Sequence, residues 1–326
     1  MKAITLSDFG GSDMMRFSEV VAPDPDENQV LIRVRATSVN RPDVIQRQGN
    51  YPAPPGDSEI LGLEVAGIVE TIGKNVSRYA PGDRVFALIG GGGYAEYALA
   101  LESHTMPIPE SIDFEQAACI CETYITAYLN LFLIADLQGK QSVLIHGGGG
   151  GIATAAIQLC KALSADTEIF VTASTAKIER VRQQGADHVI DYRSQDFAAE
   201  INRISEKRGV DVILDHIGAS YLESNFNSLA IGGCIMQIGV MGGIKAEINL
   251  AKMMVKRQRI IGSVLRSRAI EEKASIIKQF EQGVMPLFAS AKIAPLIHAT
   301  FPLSEAAQAH DLMEQGGHFG KIVLLP

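Results

Sequence analysis

Two rhythms of apolar and polar positions divide the chain. Residues 28–36, Asn-Gln-Val-Leu-Ile-Arg-Val-Arg-Ala, alternate as a half-buried strand does. Residues 62–73 and 83–99 are also strand-like and are punctuated by Gly and Pro, with few helical patterns among them. They predict a compact, barrel-like β domain. From about residue 123 the rhythm becomes strand, helix, strand. Strands are predicted at Ser142–His146, Ile169–Ala173, His188–Ile190, Val210–Leu214, Gly233–Ile238 and Arg259–Val264. Helices are predicted between them at Ala153–Ala162, Ala176–Gln184, Phe197–Lys207 and Ser220–Leu229. Such alternation builds an α/β domain, a doubly wound parallel sheet covered on both faces. After a helix near 269–282, strand Ile297–Phe301, helix Ser304–Met313 and strand Lys321–Leu325 return to the first pattern. Ser304 is expected as that helix's N-cap, with Glu305 in its first turn. The expected organisation is a β-rich domain made of residues 1–122 and 286–326, interrupted by a nucleotide-binding domain at 123–285. A cleft between the two is the expected active site.

Composition narrows the function classes. The formal charge of −8 argues against nucleic acid or an anionic membrane as a main partner. The amino terminus lacks a charged-then-apolar signal segment, and the apolar runs read as too short and too broken to span a bilayer. Four cysteines, Cys119, Cys121, Cys160 and Cys234, suit reduced thiols in a cytoplasmic protein rather than a disulfide framework. The close pair Cys119 and Cys121 sits in an apolar run and reads as core thiols.

The most informative local signal is Val143-Leu144-Ile145-His146 followed by five glycines, Gly147 to Gly151, and then Ile152-Ala153. An apolar strand runs into a glycine turn that opens a helix. Without Cβ atoms the backbone can approach a pyrophosphate, and the amides of Gly151, Ile152 and Ala153 then face the phosphates. Gly148, Gly150 and Ala153 fit the G-x-G-x-x-A spacing. His146, just before the turn, reads as a hydrogen-bonded structural histidine. An NAD site usually carries a carboxylate at the end of the second strand. Here that end reads Val171-Thr172-Ala173-Ser174-Thr175-Ala176-Lys177, with no carboxylate. Ser174 can donate a hydrogen bond, Lys177 supplies charge and Tyr192 a further hydroxyl, a set that suits the 2′-phosphate of NADPH.

The segment from Gly62-Leu63-Glu64 to Gly73 resembles the signature of the medium-chain dehydrogenase/reductase superfamily. Its zinc alcohol dehydrogenases read Gly-His-Glu at that place and carry a ligand Cys upstream. Here Leu63 and Asn40 stand at those positions, and residues 83–118 hold no structural-zinc cysteines. No metal is therefore expected. Without a Lewis acid, the substrate must accept hydride readily, as quinones and activated enones do.

Asn40-Arg41-Pro42-Asp43 through Gln46-Arg47-Gln48-Gly49-Asn50-Tyr51 resembles the quinone oxidoreductase branch, which includes the zeta-crystallins, and most of all its stress-inducible subgroup. Glu122-Thr123-Tyr124-Ile125-Thr126-Ala127-Tyr128, Met241-Gly242-Gly243, Leu265-Arg266-Ser267-Arg268 and Gly320-Lys321-Ile322-Val323-Leu324 match as well. The resemblance implies a GroES-like catalytic domain, a Rossmann-like NADPH domain and a homodimer or dimer of dimers joined through sheet edges. It implies that Asn40, Tyr51 and Thr126 line the nicotinamide end of the site, with Gly239, Met241 and Leu265 also on the cofactor. Tyr51 can hydrogen-bond a quinone oxygen as charge develops there. Asn40 can orient Tyr51 or contact the cofactor. Relatives commonly carry Gly where Ala153 ends the phosphate turn; Ala is small enough to keep the helix close to the strand. The expected activity is NADPH-dependent quinone reduction. The alternatives are a 2-alkenal or enoyl reductase and a non-catalytic NADPH-binding protein, crystallin-like or RNA-binding.

Overall fold

The computed structural model describes residues 1–137, 139 and 141–326. The chain forms two compact units, Met1–Ile125 with Arg266–Pro326, and Thr126–Leu265. These boundaries fall three residues after and twenty before those expected from the hydrophobic rhythm.

The first unit begins with an antiparallel hairpin, β1 (Lys2–Leu6) and β2 (Met15–Glu19). Strand β3 (Gln29–Val39) then pairs with β4 (Glu64–Ile72), β6 (Tyr97–Leu101) and the last strand of the chain. Strands β5 (Arg84–Leu88) and β7 (Thr105–Pro107) extend the sheet beyond β4. The alternation seen in the sequence has its physical reason here. Val30, Ile32 and Val34 of β3 pack in one core with Val65, Val69, Val85 and Ala98, while Arg33 and Arg35 stay in solvent. The helix α1 (Arg41–Arg47) between β3 and β4 went unread in the sequence. Its start is fixed by a capping box, in which the Asp43 carboxylate accepts the Asn40 amide at 2.7 Å.

In the second unit all strands are parallel. They are β8 (Ser142–Ile145), β9 (Glu168–Ala173), β10 (His188–Asp191), β11 (Val210–Asp215), β12 (Leu229–Gln237) and β13 (Arg259–Gly262), in the order β10-β9-β8-β11-β12-β13. The intervening helices are α2 (Gly151–Leu163), α3 (Ile178–Gln183), α4 (Phe197–Ile204), α5 (Leu222–Ser228) and α6 (Leu250–Lys256). Three expectations need correction. The helix drawn to Leu229 stops at Ser228, because Leu229 already pairs with Val210. Strand β12 therefore starts four residues before Gly233 and carries a register shift at its glycines. The short helix α6, held by the Asn249 side chain on the Lys252 amide, was not expected.

The chain then returns to the first unit. Helix α7 (Ile270–Gly283) buries Ile276, Ile277 and Phe280 there, which is why the unit boundary lies before it. Helix α8 (Met285–Ala289) follows, then β14 (Ile297–Pro302), α9 (Ala306–Gln315) and β15 (Lys321–Leu325). Ser304 is not an N-cap: it lies within a 3-10 turn, Leu303–Glu305, and α9 starts only at Ala306. One further expectation fails. The helical run Phe114–Ile134 is long and apolar enough to cross a membrane, with mean hydropathy 1.5, although two-thirds of it is buried inside the protein.

Candidate active site

In the second unit the chemistry gathers where the sheet order reverses. The chain runs β8, β9, β10 to one side and then crosses to β11 on the other side of β8, so the turn after β8 lies at the switch point. Gly147 has φ +68°, and a Cβ there would sit 2.7 Å from the His216 ring. At Gly148 a Cβ would sit 2.6 Å from Val171 Cγ1. Only glycine fits either place. The turn closes through Gly150 N to Gly147 O at 2.8 Å and is tied to β9 through Gly148 N to Thr172 O at 2.8 Å. Gly150 is the extended N-cap of α2. Gly151, Ile152 and Ala153 form its first turn, whose amides have no intrahelical acceptor. Buried Ala153 keeps that helix close to the sheet.

His146 braces the turn from below. Its Nδ1 meets Thr172 Oγ1 at 2.9 Å and its Nε2 meets Asn225 Oδ1 at 2.8 Å. Asn225 Nδ2 in turn donates to Asp215 Oδ2 at 2.9 Å, so Asn225 presents its oxygen and His146 carries its proton on Nε2. Burial pushes the imidazole down to about 4, and it stays neutral.

At the end of β9, Ser174 precedes a 3-10 turn, yet its side chain makes no cap hydrogen bond. Lys177 folds against the glycine turn: a Cβ at Gly149 would lie 2.4 Å from Lys177 Cδ. Burial, with added like charge from Arg180 and Arg193, lowers the Lys177 ammonium below its usual range. Tyr192 and Arg193 stand exposed after β10. The Asp191 carboxylate before them is turned onto Thr175 Oγ1 (2.6 Å) and the Arg193 amide (3.0 Å). Arg180 and Arg193 were missed in the sequence because only their position beside Lys177 distinguishes them. Gly239 and Met241 follow β12 and reach the turn through His216. A Cβ at Gly239 would lie 3.1 Å from His216 Cβ, and Met241 N donates to His216 O at 3.1 Å. Thr126 opens the segment Thr126–Tyr128, which packs on α2, and Leu265 is buried at the end of the unit.

In the first unit a second cluster forms around Glu64, which is fully buried in β4. Glu64 Oε1 accepts from Ser38 Oγ (2.5 Å), Asn40 Nδ2 (2.9 Å) and Lys321 Nζ (3.2 Å); Oε2 accepts the Glu122 amide (2.9 Å). Asn40 is thus engaged at both ends, its Oδ1 accepting from Lys321 Nζ at 2.5 Å. Half-buried Tyr51 lies under the Arg266 guanidinium, 5.1 Å from the ring centre, and Arg266 is anchored on Gly90 O at 2.8 and 2.5 Å. Burial and the Glu122 charge raise the Tyr51 phenol, while Arg266 lowers it. Glu122, Arg266 and Lys321 were not singled out in the sequence. For Glu122 and Lys321 the available signal was a lone charge in or at the head of an apolar run, which marks a paired buried ion; Arg266, followed by Ser267 and Arg268, carried no such signal.

These side chains do not suit zinc. Leu63 is buried hydrocarbon, the Asn40 amide is already engaged at both ends, and the cation beside Glu64 is an ammonium. Among the described residues no three His, Cys, Asp or Glu side chains converge to hold a metal. The four cysteines are buried free thiols.

Residues 26–110 match the alcohol dehydrogenase GroES-like domain family, and residues 184–324 match the family described as zinc-binding dehydrogenase. The quinone oxidoreductase of Rattus norvegicus is 36% identical over 329 residues, covering all of this chain and 98% of that protein. The chain belongs to the quinone oxidoreductase family. As a member of that family within the medium-chain dehydrogenase/reductase superfamily, it combines a GroES-like domain with a Rossmann-like parallel-sheet domain. Among solved structures, the CurK enoyl reductase superposes with a TM-score of 0.89 at 28% identity, over 99% of this chain and 98% of that one. A mycobacterial protein, Rv1454c, solved in complex with NADPH, gives 0.90 at 26% identity over the full length of both chains.

Proposed function

We propose that the protein is an NADPH-dependent quinone oxidoreductase that reduces a small quinone without a metal. The observation that carries this reading is the replacement of the zinc ligand positions by Leu63 and by Asn40, which is bonded to the Lys321 ammonium. With no Lewis acid to polarise the acceptor, the acceptor itself must be strongly electrophilic. When bound, NADPH supplies a hydride to it.

Gly148 and Gly150 let the backbone approach the pyrophosphate, and the first-turn amides of Gly151, Ile152 and Ala153 hold it. Ser174, Lys177 and Tyr192 take the 2′-phosphate, joined by Arg193, and the Ser174 side chain makes no cap hydrogen bond that would compete with it. Gly239, Met241, Leu265 and Thr126 flank the nicotinamide half. Tyr51 donates its phenol proton to the acceptor oxygen. Asn40 positions the start of α1 rather than touching the substrate, since both ends of its amide are engaged. The protein works in the cytoplasm as a homodimer, its second copy adding at edge strand β13, beside which Leu250, Met254 and Val255 are exposed.

The likeness to the CurK enoyl reductase favours a second reading, reduction of an enoyl or 2-alkenal acceptor on the same scaffold. Both readings are tested by following NADPH absorbance in chelator-treated protein offered an ortho-quinone and a 2-alkenal in parallel. Rapid oxidation with the quinone supports the first reading. Oxidation with the alkenal alone replaces it with the second.

A further inference from the structure

One buried hydrogen-bonded chain joins the carboxyl ends of four adjacent strands, β9, β8, β11 and β12. Asp215 closes β11 and supplies the chain with two ends. Its Oδ1 accepts the amides of Ile217 (2.6 Å) and Gly218 (3.2 Å), the latter shared with Oδ2 at 3.3 Å. Those residues hold the loop after β12: Ile217 O accepts the Gly242 amide at 2.6 Å, and the Ala219 amide donates to Gly243 O at 3.0 Å. From Oδ2 the chain runs the other way, through Asn225 Nδ2 (2.9 Å) and Asn225 Oδ1 to His146 Nε2 (2.8 Å). It ends where His146 Nδ1 meets Thr172 Oγ1 (2.9 Å), which accepts the Gly147 amide at 3.4 Å.

Asp215, Asn225 and His146 are fully buried and Thr172 is 1% exposed. The imidazole sits between the Phe197 and Tyr221 rings, 5.0 and 4.9 Å between centroids. So enclosed, each donor has to find its acceptor within the chain. Burial raises the Asp215 carboxyl, and the Ile217 and Gly218 amides oppose that rise. A carboxylate only accepts, so Asn225 turns its NH2 to Asp215 and its oxygen to His146. The imidazole proton then sits on Nε2, and Nδ1 accepts from the Thr172 hydroxyl. Asp215 thus dictates the direction of every bond as far as the glycine turn.

We propose that Asp215, acting through Asn225, fixes the tautomer of His146 and so holds the glycine turn and the loop 239–243 in the one register that fits the cofactor. This rests on the NADPH reading above, in which the turn and α2 hold the pyrophosphate and Gly239 and Met241 flank the nicotinamide half. Asp215 and Asn225 are positioning residues, acting on the cofactor through the backbone they hold.

Reversing the chain tests this. Asp215→Asn keeps the size of the side chain and an acceptor for Ile217 and Gly218, but turns a donor toward Asn225. Asn225 must then flip, and its NH2 drives the His146 proton to Nδ1. Adding Asn225→Asp puts a carboxylate opposite Nε2 again, and the new amide at 215 donates to it. Nitrogen-15 NMR of histidine-labelled protein without cofactor reads the tautomer, with His146 assigned by its loss in His146→Gln. Wild type and the double swap should carry the proton on Nε2, and Asp215→Asn alone on Nδ1. In fluorescence titration, Asp215→Asn should weaken NADPH binding by about 10-fold, and the swap should recover it. Binding of 2′,5′-ADP, which lacks the nicotinamide half, should change far less. An Nδ1 proton in wild type, or an Nε2 proton kept in Asp215→Asn, overturns the proposal, as do equal losses for the two ligands. If Asp215→Asn does not fold, a swap that folds and binds NADPH supports the proposal, and a swap that stays unfolded overturns it. If wild type carries the Nε2 proton but binds neither ligand, the cofactor reading has failed and takes the positioning role with it.

Discussion

Lys321 Nζ donates to Asn40 Oδ1 at 2.5 Å, joining the last strand of the chain to the residue that caps its first helix. The same ammonium reaches Glu64 Oε1 at 3.2 Å, and all three side chains are almost completely removed from solvent. The contact spans 281 residues, so this cluster forms only when the first and last segments of the first unit come together.

Removing the cation should therefore be costly. Lys321→Met leaves Glu64 buried beside Asp43 and Glu122 with no cation in contact, and should lower stability by about 3–5 kcal/mol in denaturant unfolding. Adding Glu64→Gln to Lys321→Met should recover a large part of that loss, since the uncompensated charge is then gone. Strict additivity of the two substitutions in this cycle would show that the pair is not coupled.

Cofactor choice should follow Lys177. Lys177→Ala removes a charge-assisted bond worth about 1.5–3 kcal/mol, roughly a 10–100-fold weakening of NADPH binding, and should leave NADH affinity unchanged. Gly149→Ala offers an independent route to the same end. Its Cβ would lie 2.4 Å from Lys177 Cδ, so the flexible lysine must swing off the turn. Titration calorimetry with both cofactors checks this, and equal losses for NADPH and NADH would refute it.

The contrast between these two clusters explains what was legible in the sequence. The glycine turn is local: strand β8, the turn and α2 follow one another, so Gly148, Gly150 and Ala153 could be read from spacing. Alternation along β3 exposed its core face in the same way. The Glu64 cluster draws on β3, β4, Glu122 and β15, and no window of the sequence contains it. Helices α1 and α6, seven residues each, are too short to show a period and are set by Asp43 and Asn249 at their starts. Lys177 was readable from its place after β9, whereas Arg193 became visible only as its neighbour in space.

Arg266 should matter through Tyr51. Arg266→Met removes the guanidinium over the ring and its bonds to Gly90 O, so the phenol loses its fixed direction. Turnover with a quinone should fall by about 10-fold, near the loss for Tyr51→Phe, while NADPH binding is retained. Full activity in Tyr51→Phe would remove the phenol from the mechanism and Arg266 with it.

Acid should unfold the protein through two buried histidines. His146 is held down to about 4 and His310 to about 3, His310 by burial and by the charges of Arg47 and Arg41. Both titrate near 6.5 when unfolded. Between those values the unfolded chain binds the protons and the native chain does not. Stability contributed by the neutral rings is thus complete above 6.5 and drains away as pH falls through the native values. Each histidine adds a slope of about 1.4 kcal/mol per pH unit in that window. His146→Gln can still donate to Asn225 Oδ1, and it should cost stability at neutral pH while removing one proton's worth of the acid slope. Denaturant unfolding across pH 4 to 6.5 measures both quantities. An unchanged slope in His146→Gln would mean that the native imidazole already carries its proton, and the bracing of the glycine turn would need a charged ring.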